Sequence, residues 1–150
     1  MSKPLIQATL HTGLTVSDLD RSIAFYRDGL GFEVSERITL DGAHIEQMTG
    51  IAGARIQIAH VQAPGHGIEL LQYLKPDGRR QSDLRPCDTG ASHIAFLVEN
   101  IDAVLAVLKT HGFEPMGPPQ SPASGQLKGG WVAYLRDPDN TTLELQQLAN

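Results

Sequence analysis

The chain has 150 residues, 41% of them hydrophobic, which suits one globular domain able to bury a core without external staples. Its single cysteine, Cys87, excludes an intrachain disulfide framework, and the opening MSKPLIQATL has neither the apolar stretch nor the cleavage pattern of a secretory signal, so cytoplasmic residence is expected. A formal net charge of -5, with basic residues scattered apart from Arg79 and Arg80, argues against nucleic acid, and no apolar run approaches the roughly 20 residues of a membrane span.

An internal repeat sets the order of the elements. HTGLTVSDLDRSIAFYRDGLGFEV from His11 and HIAFLVENIDAVLAVLKTHGF from His93 both run from a histidine through an apolar stretch, a polar corner, an amphipathic segment and a Gly-Phe-Glu. The first copy predicts a strand, then a helix carrying Leu19, Ile23, Phe25, Tyr26 and Leu30, with Ser17 and Asp18 as caps and Gly29 and Gly31 as the stop. Strand-like runs follow at Phe32 to Leu40, Ala54 to Val61 and Ile68 to Tyr73. Residues 75–89, with Pro76, Gly78, Arg79, Arg80 and Pro86, read as an exposed connection. The second copy predicts a helix capped by Asn100, striped by Ile101, Val104, Leu105 and Leu108, and followed by Gly112. After it come a Pro- and Gly-rich loop from Gly117 to Gly130 and strands at Trp131 to Arg136 and Thr142 to Leu148. Asp137-Pro138-Asp139-Asn140 should turn between those strands. The expected fold is α+β, one domain over 1–150, built from two βαβββ modules at about 8–74 and 90–148.

Four residues stand out because the repeat presents them twice. Strand alternation puts His11 on one face with Gly13 and Thr15, and His93 on one face with Ala95 and Leu97. Each half then ends in an apolar strand bearing one acid, Glu69 in IELLQY and Glu144 in LELQQL. An ionised carboxylate among leucines is costly to bury unless paired or bound to a cation. His, Glu, His, Glu in repeated order therefore points to a divalent metal site. The histidines are 93 − 11 = 82 positions apart and the glutamates 144 − 69 = 75, a mismatch that loop indels explain. Two imidazoles and two carboxylates suit one Zn, Ni, Co, Mn or Fe(II) ion and disfavour Ca or Mg.

LHTGLTVSDLDRSIAFYRDGLGF, IELLQY, ASHIAFLVENIDAV and LRDPDNTTLEL resemble the signatures of the glyoxalase and vicinal-oxygen-chelate superfamily along nearly the whole chain. The resemblance implies paired βαβββ modules forming a half-open β-barrel around a metal, with His11, Glu69, His93 and Glu144 at the ligand positions, and a homodimer. For glyoxalase I-like members it implies a small carbonyl substrate and a lyase or isomerase reaction through a metal-stabilised enediolate. Glu144 would then be the proton-transfer base, with Glu69 its symmetric alternative. The chain departs from the glutathione-using pattern at Thr15, where an Arg is usual, and near Tyr73, where an Asn is usual. An acyl-CoA epimerase of the methylmalonyl-CoA type is the second reading, with Glu46 as a further acid. An Fe(II) ring-cleaving dioxygenase is disfavoured by the extra carboxylate Glu69, and a non-catalytic resistance-type binding protein by the full ligand set.

Other conspicuous residues have bland explanations. His44, His60 and His66 read as solvated imidazoles, Cys87 as incidental, and Arg79 with Arg80 as a solvated pair. The 117–130 loop has the length of a flap, from which Lys128 would meet an anionic group, and Trp131 reads as a packing anchor.

Overall fold

The structure is a computed structural model and describes residues 5–149. In chain order the elements are β1 (His11–Thr15), α1 (Leu19–Ala24), which runs on into a π-helical turn (Phe25–Gly29), β2 (Glu33–Val34), β3 (Ile38–Leu40), α2 (Ala43–Thr49), β4 (Arg55–Ala63), β5 (His66–Lys75), β6 (His93–Leu97), α3 (Ile101–Thr110), β7 (Trp131–Arg136) and β8 (Thr142–Gln147). The class is α+β, as expected, with two open sheets. Among the described residues no helix is long and apolar enough to cross a membrane. The chain divides into two compact units, residues 5–19 with 32–77 and residues 20–31 with 78–149.

The first unit holds a five-stranded sheet. β1 lies parallel to β5, β4 is antiparallel to β5, and both β2 and β3 pair with β4. The run expected as one strand from Phe32 to Leu40 is split. Val34 faces Val61 while Ile38 faces Ile58, so three residues lie between the pairs on one side and two on the other, the count of a β-bulge. Ser35 stabilises the break: its N–H donates to the His60 carbonyl at 2.9 Å, and its hydroxyl oxygen accepts from the His60 N–H at 3.0 Å. The short helix α2 was not expected. Its anchor is Ile45, buried with Ala54, Ile56 and Ile58 under Leu40, Leu71 and Tyr73, and Gly50 ends it at φ 69°, a left-handed position that glycine takes without strain.

The second unit holds the sheet β6-β8-β7, with β6 parallel and β7 antiparallel to β8. Where the first copy has β2 and β3, the second has two isolated bridges, Pro115 to Leu135 and Gln120 to Val132. Pro115, Pro118, Pro119 and Pro122 lack the N–H that a continuous ladder needs. The helix of the first copy groups with this unit from Asp20 onward. Phe25 meets Phe113 edge to face with ring centroids 4.5 Å apart, and Tyr26 is fully buried. A Cβ on Gly29 would come within 3.1 Å of Leu108, so glycine there permits the close packing of the π-helical turn on α3. The expected DPDN turn closes the β7–β8 hairpin: Asp137 accepts from the N–H groups of Asp139 and Thr141 at 2.9 and 2.8 Å and from the Tyr26 hydroxyl at 3.1 Å.

Candidate metal centre

The repeat is visible in the strand register. Gly13 of β1 pairs with Glu69 of β5, and Ala95 of β6 pairs with Glu144 of β8. The two partners are 95 − 13 = 82 positions apart, the same offset as the histidines. In both sheets, then, the histidine stands two residues before the partner of the glutamate and on the same face. Accessibility alternates identically: His11, Gly13 and Thr15 are exposed, as are His93, Ala95 and Leu97, while the residues between are half-buried. Gly67 fits closely beside His11: a Cβ there would lie 3.1 Å from the Leu10 carbonyl and 3.3 Å from the His11 Cβ, so a side chain would press on β1.

Each unit brings one predicted pair together. His93 Nε2 lies 3.0 Å from Glu144 Oε2, and His11 Nε2 lies 3.7 Å from Glu69 Oε2. The histidine side chains are 45% and 41% exposed and the glutamates 10% and 18%, so a sheltered carboxylate meets an accessible imidazole in both places. Glu144 sits between the buried Leu143 and Leu145, and a charge there needs a nearby partner. Glu69 likewise points away from the face of the buried Ile68 and Leu70.

Each carboxylate also has a second neighbour, and here the copies differ. Gln146 Nε2 donates to Glu144 Oε1 at 2.8 Å; His60 Nε2 stands 3.7 Å from Glu69 Oε1, too long for a hydrogen bond. His60 faces Glu69 across β4 and β5, as Tyr134 faces Glu144 across β7 and β8. The sequence reading took His60 for a solvated imidazole and passed over Tyr134. Aligning the strands before each glutamate would have matched them, since 134 − 60 = 74 is within one of the glutamate offset. The Tyr134 ring centroid is 5.6 Å from that of His93, and burial followed by the charge of Glu144 raises its hydroxyl above the ordinary tyrosine value. It is therefore a neutral donor near pH 7.

A matched pair of glutamines ties each site strand to a helix start. Gln72 Oε1 accepts from the Leu19 N–H at 3.1 Å and Gln147 Oε1 accepts from the Ile101 N–H at 2.8 Å. Both stand three residues after the site glutamate, and both satisfy an orphan donor of a first helical turn. Of the remaining residues noted in the sequence, His66 shares a 2.8 Å hydrogen bond with Thr12 Oγ1, Cys87 is exposed, and Trp131 is 43% exposed rather than a packing anchor.

Among the described residues no group of three or more His, Cys, Asp or Glu forms a ready-made metal cluster. The donor chemistry of the two pairs nevertheless fits an ion. Neighbouring ligands each about 2.1 Å from a shared metal stand roughly 3 Å apart, the separation found between His93 and Glu144. Imidazole nitrogen with carboxylate oxygen is the ligand mixture of Zn, Ni, Co, Mn and Fe(II).

A model of the Glyoxalase/Bleomycin resistance protein/Dioxygenase superfamily matches residues 8–145. A 2-epi-5-epi-valiolone epimerase from Actinomyces is 32% identical over 148 residues, covering 94% of this chain and 79% of that protein. A probable lactoylglutathione lyase from Vibrio parahaemolyticus is 31% identical over 140 residues, covering 92% and 88%. A crystal structure of a glyoxalase family protein from Bacillus cereus superposes with a TM-score of 0.85 at 24% identity, over 100% of this chain and 99% of that one.

Proposed function

The chain belongs to the Glyoxalase/Bleomycin resistance protein/Dioxygenase superfamily, and we propose that it is a metal-dependent lyase or isomerase of glyoxalase I-like type, removing a proton beside a carbonyl of a small molecule. The observation that carries this reading is the duplicated register of His11 with Glu69 and His93 with Glu144. We assign these four residues as the ligands of one divalent ion per site, completed within one chain or between two chains of a homodimer. When bound, the ion supplies Lewis acidity to the carbonyl.

The protein's own groups divide the remaining work. Glu144 is the base: its Oε1 is fixed by Gln146 while Oε2 faces His93, so the carboxylate is held in one orientation and can accept a proton and return it to the adjacent carbon. Among the described residues no amide holds Glu69 in this way, and it serves as ligand. Tyr134, held neutral, is placed to donate to a substrate oxygen. The epimerase relative favours a second outcome of the same step, return of the proton to the opposite face of the same carbon, with Glu69 as the other acid in place of Glu46, which is exposed on α2.

Metal analysis of protein purified without chelator tests the reading first. About one Zn, Ni, Co, Mn or Fe per site is expected, lost in His11→Ala and largely kept in Glu144→Gln, whose turnover should fall at least ~10³-fold as for loss of a catalytic base. Protein that takes up no such ion on reconstitution would sink the enzyme reading and favour a binding module. Ordinary turnover in Glu144→Gln would move the base to Glu69.

A further inference from the structure

The two site carboxylates are held differently. Gln146 stands two residues after Glu144 on the same face of β8 and donates to Oε1 at 2.8 Å, leaving Oε2 to His93 at 3.0 Å. Two residues after Glu69 stands Leu71, whose side chain has no donor. Leu71 is committed to packing, against the cluster of Ile45, Ala54, Ile56 and Ile58 that anchors α2.

The first copy finds its donor on the neighbouring strand. Glu69 pairs with His60 of β4 on one side and with Gly13 of β1 on the other, so His11, Glu69 and His60 share a face. His60 Nε2 stands 3.7 Å from Glu69 Oε1 and His11 Nε2 stands 3.7 Å from Oε2, so the two imidazoles take opposite oxygens of one carboxylate. Their rings meet edge to face with centroids 6.2 Å apart. The division of oxygens is that of the second copy, where Oε2 faces His93 and Oε1 faces Gln146. The break between β2 and β3 fixes the backbone of His60, because Ser35 binds both its N–H and its carbonyl, at 3.0 and 2.9 Å. A bulge of this kind re-aims a side chain. With the backbone held, a movement of about 1 Å by the accessible imidazole brings Nε2 within hydrogen-bond distance of Oε1.

We propose that His60 is the positioning residue of Glu69, doing through its Nε2–H what Gln146 does for Glu144. The inference rests on the metal site proposed above. With its proton on Nε2, the ring donates to Oε1, leaves Oε2 for ligation, and keeps the carboxylate from rotating away from His11. His60 is not a ligand in this arrangement, since it meets the oxygen that His11 does not. A donor of this kind behind a ligating group is worth about 10- to 100-fold in metal affinity.

Competition of the full chain with a chromophoric chelator measures Co(II) affinity, and the visible spectrum of the saturated protein reports the ligand set. His60→Ala should bind Co(II) about 10- to 100-fold more weakly than wild type, with an unchanged spectrum at saturation. His60→Gln should recover most of that loss, because its amide donates as Gln146 does, whereas a residue needed only for packing would not be replaced by an amide. Wild-type affinity in His60→Ala, or a His60→Gln protein that binds no more tightly than His60→Ala, overturns the positioning role and leaves the four assigned ligands standing. A changed spectrum in saturated His60→Gln also overturns it, by making His60 a ligand. Wild-type protein that takes up no Co(II), Zn, Ni, Mn or Fe(II) overturns the metal site and this inference together.

Discussion

Glu144 and Tyr26 show how burial is used for two purposes. Both are sheltered, but Glu144 keeps an open oxygen toward an accessible histidine, whereas Tyr26 is spent on structure, donating to the buried Asp137 at 3.1 Å. Removing that donor in Tyr26→Phe leaves Asp137 one hydrogen bond short, which should cost about 1–3 kcal/mol in urea unfolding at pH 8. Burial, then the charge of Asp137, raises the Tyr26 hydroxyl well above its ordinary value of 10.0. The folded state thus keeps a proton that the unfolded chain releases, so this stability is complete below pH 10.0 and lost as pH rises toward the folded value. The difference between wild type and Tyr26→Phe should therefore shrink above pH 10.0, and a difference that grows there would show that Tyr26 ionises in place. Gln146 gives the matching prediction at the site. Gln146→Ala should lower kcat about tenfold while metal affinity falls less than His93→Ala makes it fall, the behaviour of a residue that orients a ligand rather than being one.

At the scale of elements, the strand face and the helix start are built as one piece in each copy. The glutamate and the glutamine three residues later share a strand, one facing the histidine and the other holding the first N–H of the helix. Gln72→Ala and Gln147→Ala should each cost about 0.5–2 kcal/mol by urea denaturation, the range for a lost helix cap. Losses near zero would mean water replaces the amide. Asn100 as the cap of α3 was readable from the sequence, and it accepts from Ala103 N–H at 2.9 Å. The short helix α2 was not readable, because seven residues with one buried anchor, Ile45, give periodicity nothing to count. The split of the Phe32 to Leu40 run was hidden for a related reason: a bulge depends on the partner strand, here on Ser35 meeting His60.

For the whole molecule, binding of an ion by the folded state alone makes stability depend on metal concentration. At one hundred times the dissociation constant the gain is about 2.7 kcal/mol. Thermal unfolding should therefore shift upward on adding the native ion to wild type, and return on chelation, with little shift in His93→Ala. An equal shift in that variant would place the ion elsewhere. Mixing His11→Ala with His93→Ala distinguishes the two ways of completing the site. A site shared across a homodimer regains an intact ligand set in mixed dimers, whereas a site within one chain regains nothing.

The sequence by itself determined what repeats locally: two strand-and-helix copies, the faces on which His11 and His93 lie, the acids Glu69 and Glu144 in apolar strands, and the turn at Asp137. Periods of 2 and 3.6, caps and turn residues are properties of neighbours along the chain, so one sequence displays them. Only the tertiary structure decided which strands pair and in what register, and hence that Gly13 meets Glu69 and Ala95 meets Glu144. It alone brought His60 to the second oxygen of Glu69, set Tyr134 beside His93, and moved the first helix into the unit of the second copy. Those contacts cross from one element to another, and packing between elements, rather than any local propensity, selects them.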